Sequence, residues 1–192
     1  MKLLPRLLVI AAALGCGPRG AKTPAEAHAR LAAAVAAHDS VRLWNALDQD
    51  TRWAWMSIER AWRESYDITQ SVVPEGSERS RLLARFAPGA TAENAQVLFG
   101  RMLEPEAWAE AGRRLAAAGA HPPELDPSGD TARVVTPAGA LVYRKAHDQN
   151  WGWGYSGLAA RAEQLSGKAA ADLERMRKDA ADYERAAMRS SR

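Results

Sequence analysis

The chain has 192 residues, of which 26 are Lys or Arg and 23 are Asp or Glu, giving a formal net charge of +3. With charges this balanced and no long block of Lys or Arg, electrostatic binding of nucleic acid is excluded as a main function. A single cysteine excludes an internal disulfide, so the fold must hold by core packing, for which seven tryptophans and abundant alanine supply the material.

Lys2 and Arg6 precede an apolar run, Leu7 to Leu14, that ends at Gly15 and Cys16. Such a run is a secretory h-region and is too short for a bilayer, which takes ~20 apolar residues. Ala13-Leu14-Gly15-Cys16 resembles the lipobox of bacterial lipoproteins. The resemblance implies cleavage between Gly15 and Cys16, a diacylglyceryl group on the Cys16 thiol and acylation of its amine. Ala13-x-Gly15 also satisfies the small-x-small rule of ordinary signal peptidase, which would cut the same bond and leave a free N-terminal thiol. Lipidation is preferred because it accounts for an unpaired cysteine in a secreted chain. On this reading residues 1–15 are a signal peptide and 16–22 a lipid-anchored tether. The protein is then held on a membrane of the bacterial envelope, the outer membrane favoured over the inner. Removing 15 of the 192 residues leaves 177, the length of one ordinary domain.

The domain is expected over 23–158. Thr23-Pro24-Ala25-Glu26 is a capping box with proline at the first helical position, and Ala27, Leu31, Ala34 and Val35 follow at helical spacing up to His38. A second short helix spans Val41–Leu47. Asp48 caps a longer one, Asp50–Val72, with Trp55, Ile58, Trp62, Tyr66 and Thr69 on one face. Further helices are read at Glu78–Phe86, Ala92–Leu103 and Glu106–Ala118, divided at Pro88-Gly89 and Glu104-Pro105, with Gly119 closing the last.

Beyond a Pro- and Gly-rich loop from His121 to Asp130 the period changes from 3.6 to 2. Thr131–Thr136, Gly139–Lys145 and Asn150–Tyr155 read as three strands of an antiparallel meander. In the last, Trp151, Trp153 and Tyr155 alternate with Gly152 and Gly154, leaving one face bare and in need of a cover. Residues 159–192 form an Ala-rich C-terminal helix with a narrow apolar stripe, interrupted or kinked at Ser166-Gly167. It either lies on the domain or meets a partner. The fold class is therefore α+β, helix-rich, with a small three-stranded meander and a C-terminal helix.

Thr23 to Arg52 resembles the opening of the nuclear transport factor 2-like superfamily. Thr23, Pro24, Glu26, Ala27, the His38-Asp39 pair, Leu47 and Asp50-Thr51-Arg52 carry the likeness, and Asp130–Tyr155 fits the end of such a domain. The resemblance implies a cone-like domain, in degenerate form here because the cone uses a larger curved sheet. It implies no single activity.

Candidate chemistry is sparse. His28, His38, His121 and His147 have no ligand-like spacing, so no metal or cofactor is expected. Asp67, Tyr66, Tyr143 and His147 are the residues a cone-pocket enzyme would use, but no motif selects them. Trp53, Trp55, Trp151, Trp153 and Tyr155 are the candidates for contact with a ligand or partner, with core packing as the ordinary alternative. Trp53 and Trp55 are ~200° apart on a helix, so one must leave the buried stripe. The expected function is a non-enzymatic lipoprotein domain that binds a protein partner or small apolar ligand. Its alternatives are an envelope assembly factor acting through the C-terminal helix and, more weakly, a cone-pocket enzyme. Deleting 166–192 is expected to spare a binding domain and abolish an assembly role.

Overall fold

A computed structural model describes residues 20–154 and 156–190. The first three helices start where their polar caps dictate. Thr23 accepts the Glu26 amide at 3.1 Å and Pro24 opens α1 (Pro24–Ala36). Glu26 reaches one residue further back than the capping box requires, accepting the Lys22 amide at 2.7 Å. Asp39 accepts the Val41 and Arg42 amides and starts α2 (Ser40–Ala46). Asp48 accepts the Thr51 amide at 2.9 Å and starts α3 (Gln49–Val72).

The next helices depart from the expected boundaries for local reasons. α4 (Ser77–Ala90) runs through Pro88 instead of stopping at Phe86. Pro88 forfeits one helix hydrogen bond, while Gly89 lies under the Trp62 side chain, so close that a Cβ would sit 2.5 Å from Trp62 Cβ. The Arg63 guanidinium then donates to the carbonyls of Ala90 and Ala92, satisfying backbone that the helix end leaves open. α5 (Ala95–Met102) begins three residues later than expected because Asn94 caps it, accepting the Val97 amide at 3.0 Å. α6 (Pro105–Ala118) ends at Gly119, at φ 56°.

The sheet has four antiparallel strands in sequential order, β1 (Glu124–Leu125), β2 (Thr131–Val134), β3 (Leu141–Lys145) and β4 (Trp151–Trp153). The strand missing from the sequence reading is β1, which pairs Glu124 with Arg133 and Leu125 with Ala132. A strand of two residues, lying between Pro123 and Pro127, is too short to show an alternation. Side chains of β2 and β3 alternate in burial, with Ala132, Val134, Leu141 and Tyr143 facing a core shared with Leu31, Leu43, Trp55, Ile58 and Phe99.

The C-terminal helix α7 (Ser156–Ser190) is uninterrupted. Gly167 costs roughly 1 kcal/mol of helix propensity relative to alanine, too little to break a 35-residue helix docked on a neighbour. Its buried residues Leu158, Ala162, Ala169, Asp172 and Met176, with half-buried Leu165, recur every three or four positions. They lie along α3. The Asp48 amide at the start of α3 donates to the Trp153 carbonyl just before α7, and farther along Arg177 donates to Glu64 at 2.7 Å. The two helices therefore run side by side in the same direction. Ala61 and Ser65, sharing a helix face with Glu64, let them approach closely. Asp172 pairs with Arg85 of α4, and Met176 joins Val73 and Phe86 in a second small core. Beyond Met176 no described residue of α7 is buried. No helix among the described residues is long and apolar enough to cross a membrane.

Candidate functional site

The outer edge of β4 is where the first and last parts of the domain meet. Ala21 bridges Trp151, accepting its amide at 2.8 Å, and Leu47 bridges Trp153. The Trp151 amide and the Trp153 carbonyl, which face outward, thus find partners, and a bridge at each end closes the edge. The bare face left by the glycines is covered by main chain. A Cβ on Gly152 would stand 2.4 Å from the Leu47 carbonyl oxygen and 2.5 Å from Asp48 Cα. Asp48, 3% exposed, ties the junction together: Oδ1 caps α3 and Oδ2 accepts from Arg144 at 3.0 Å.

Beside this edge the chain enters the domain. Gly20 lies against Asn150, and the Lys22 ammonium donates to Asn150 Oδ1 at 2.7 Å. Asn150 in turn donates to both carboxylate oxygens of Asp148, from its backbone amide at 3.0 Å and its side chain at 2.6 Å. Those bonds, reinforced by the charges of Arg52 and Lys22, hold the Asp148 carboxyl below the ordinary carboxylate range. Ala21 and Lys22, read from sequence as tether, are thus fixed to the sheet.

Three shallow clefts surround the junction. One of about 320 Å³ is lined by polar groups including Asp48, Asp130, Arg144 and His147. A second, about 160 Å³, holds Gly20, Arg30, Gln49, Arg52 and Asn150. A third, about 250 Å³, is formed by Trp44, Gln49, Arg52, Trp53 and Met56. Gln49 and Arg52 line both the second and the third, which places the chain entry and the Trp53–Met56 surface on one side of the molecule.

Of the residues singled out in the sequence, Trp55, Trp151 and Trp153 are 3%, 7% and 1% exposed and pack in the core. Trp53 is the one that leaves the stripe and is half exposed, as is Met56 one turn on. Gly15, Cys16 and Tyr155 lie outside the described residues. The four residues of the enzyme reading do not assemble. Tyr66 is half-buried and Asp67 exposed on α3, His147 is exposed in the β3–β4 turn, and Tyr143 is enclosed in the core. Among the described residues no group of three His, Cys, Asp or Glu could hold a metal ion.

Tyr143 does have a histidine partner, which sequence reasoning passed over. Its hydroxyl and His28 Nδ1 on α1 form a hydrogen bond of 2.7 Å. His28 is spaced three and seven residues from buried Leu31 and Val35, a signal that it lies on the inner flank of α1. Burial lowers the His28 pKa and raises that of Tyr143 above its ordinary value, so both stay neutral. The pair holds α1 to the sheet. Unfolded chain takes a proton on His28 near the ordinary 6.5, whereas folded protein takes it only at lower pH. Stability from this group is complete above the unfolded value and is lost as pH falls toward the folded one. Thermal melts should show a drop in Tm from pH 7.5 to 5.5 that is smaller in His28→Asn; equal drops would show that His28 does not titrate in the way its burial demands.

The architecture is a helix-rich α+β domain closed by its own C-terminal helix. Comparison with family models, curated proteins and solved structures gives no match to the chain.

Proposed function

We propose that this chain is an envelope lipoprotein, anchored by acyl groups on Cys16, whose domain serves as a non-enzymatic binding or scaffold unit. The observation that carries the reading is the run Lys2 to Cys16, with its charged start, short apolar core and lipobox-like end. The way the domain uses its polar groups supports the second half. Asp48 has both carboxylate oxygens engaged in holding α3 and β3, Asp172 is bound to Arg85, and His28 and Tyr143 bond each other. These four side chains hold helices and strands together, whereas a reaction centre needs such groups free to face a substrate.

The intact mass of the N-terminal peptide from the membrane fraction of the native host tests the anchor. The expected peptide begins at Cys16 and carries added acyl mass. An unmodified Cys16 recovered in the soluble fraction would overturn the proposal.

A further inference from the structure

Trp53 and Met56 are large apolar side chains left half exposed on an otherwise well-packed helix. Gln49, Arg52, Trp53, Met56 and Arg60 recur at helical spacing and make up the outer face of the first three turns of α3. Of these five residues Arg52 and Arg60 carry the charge, and the neighbouring carboxylates Glu59 and Glu64 are already paired with Arg63 and Arg177. An aromatic and a thioether flanked by arginines suit a boundary where acyl chains meet phosphate headgroups.

Its position supplies the occupant. Gln49 and Arg52 border both this face and the cleft in which Gly20 enters the domain. Cys16 is four residues before Gly20, a reach of at most ~14 Å when extended. An acyl group on Cys16 therefore brings this side of the domain to the bilayer surface. We propose that the face formed by Arg52, Trp53, Met56 and Arg60 seats on the headgroup layer of the membrane that holds the Cys16 anchor. This rests on the lipoprotein reading above. Tethering supplies high effective concentration, so a small patch suffices, and docking fixes which way the rest of the domain points.

Tryptophan emission tests it, since the other six tryptophans are buried or half-buried. Full-length mature protein with its native lipid is placed in phosphatidylethanolamine–phosphatidylglycerol vesicles containing lipid brominated near the top of the acyl chains. The wild type should be quenched, Trp53→Phe should lose most of the lipid-dependent quenching, and Arg60→Glu, which keeps the fluorophore, should reduce it. A second preparation couples the Cys16 thiol of the mature chain to a maleimide headgroup lipid. If the native chain proves unacylated but the coupled one is quenched through Trp53, docking stands and the lipoprotein reading falls. If bromolipid leaves the wild-type emission unchanged, or quenches Trp53→Phe equally, docking is overturned whatever the state of Cys16. A protein partner on this face would give that same result.

Discussion

Gly152→Ala should lower the thermal midpoint by about 6–12 °C. Its added methyl would lie 2.4–2.6 Å from the Leu47 oxygen and the Asp48 nitrogen and Cα, which are backbone atoms without a rotamer to escape into. Overpacking of a core costs about 1–3 kcal/mol, and a clash with main chain belongs at the upper end. In a domain of this size each kcal/mol moves the midpoint by about 2–4 °C. The strain falls on the joint that carries the Leu47–Trp153 bridge and the Asp48 cap, so β4 and α3 would loosen together. Gly167→Ala is the control. Nothing lies within 4 Å of its added methyl, and removing a mid-helix glycine stabilises by about 0.5–1 kcal/mol. A midpoint for Gly152→Ala within a degree or two of wild type would mean that β4 does not press on the α2–α3 junction.

Deletion of residues 166–192 should abolish cooperative folding or lower the midpoint by about 10–20 °C. The sequence alone suggested that this cut would spare a binding domain, and the packing of α7 argues against that. Ala169, Asp172 and Met176 would be lost, unsealing one side of α3 and opening the cluster of Val73 and Phe86. Met176 alone is worth about 1.5–3 kcal/mol of burial. The uncovered Phe86 and Val73 and the broken Arg85–Asp172 pair bring the total to about 5 kcal/mol, a large share of what a domain has. A melt matching that of the whole chain would show that α7 is an appendage. The assembly alternative is better probed by trimming only residues 180–192, which lie past Met176, the last buried position among the described residues of α7.

What could be read from the sequence was what depends on neighbours along the chain. Thr23, Asp48 and Gly119 marked helix ends to within a residue or so because capping is a local transaction with backbone groups a few positions away. The glycine-tryptophan alternation of 151–154 announced a bare face needing a cover. It did not reveal that the cover is the main chain of Leu47 and Asp48, more than a hundred residues upstream. α4 ran past Pro88 because Trp62 and Arg63, on another helix, hold its last turn. The split of Trp53 from Trp55 followed from helix geometry, but which of them would face outward depended on packing around Phe99, whose ring is 5.5 Å from that of Trp55. Likewise, nothing near His28 in the chain points to Tyr143, 115 positions away.

The closed edge of β4 also decides how the domain would bear a load. A pull drawn through the chain ahead of Gly20 meets the hydrogen bond between Ala21 and Trp151 and the Lys22–Asn150 clasp before it reaches α1. These few bonds sit at the end of the segment and would open one after another, as a zip does, and not together. Behind them α1 is held by the burial of Ala27, Leu31 and Ala34. Under tension the domain would therefore pay out a short length of slack from its root while the body stays folded, a compliant link between the leading chain and the globule behind it.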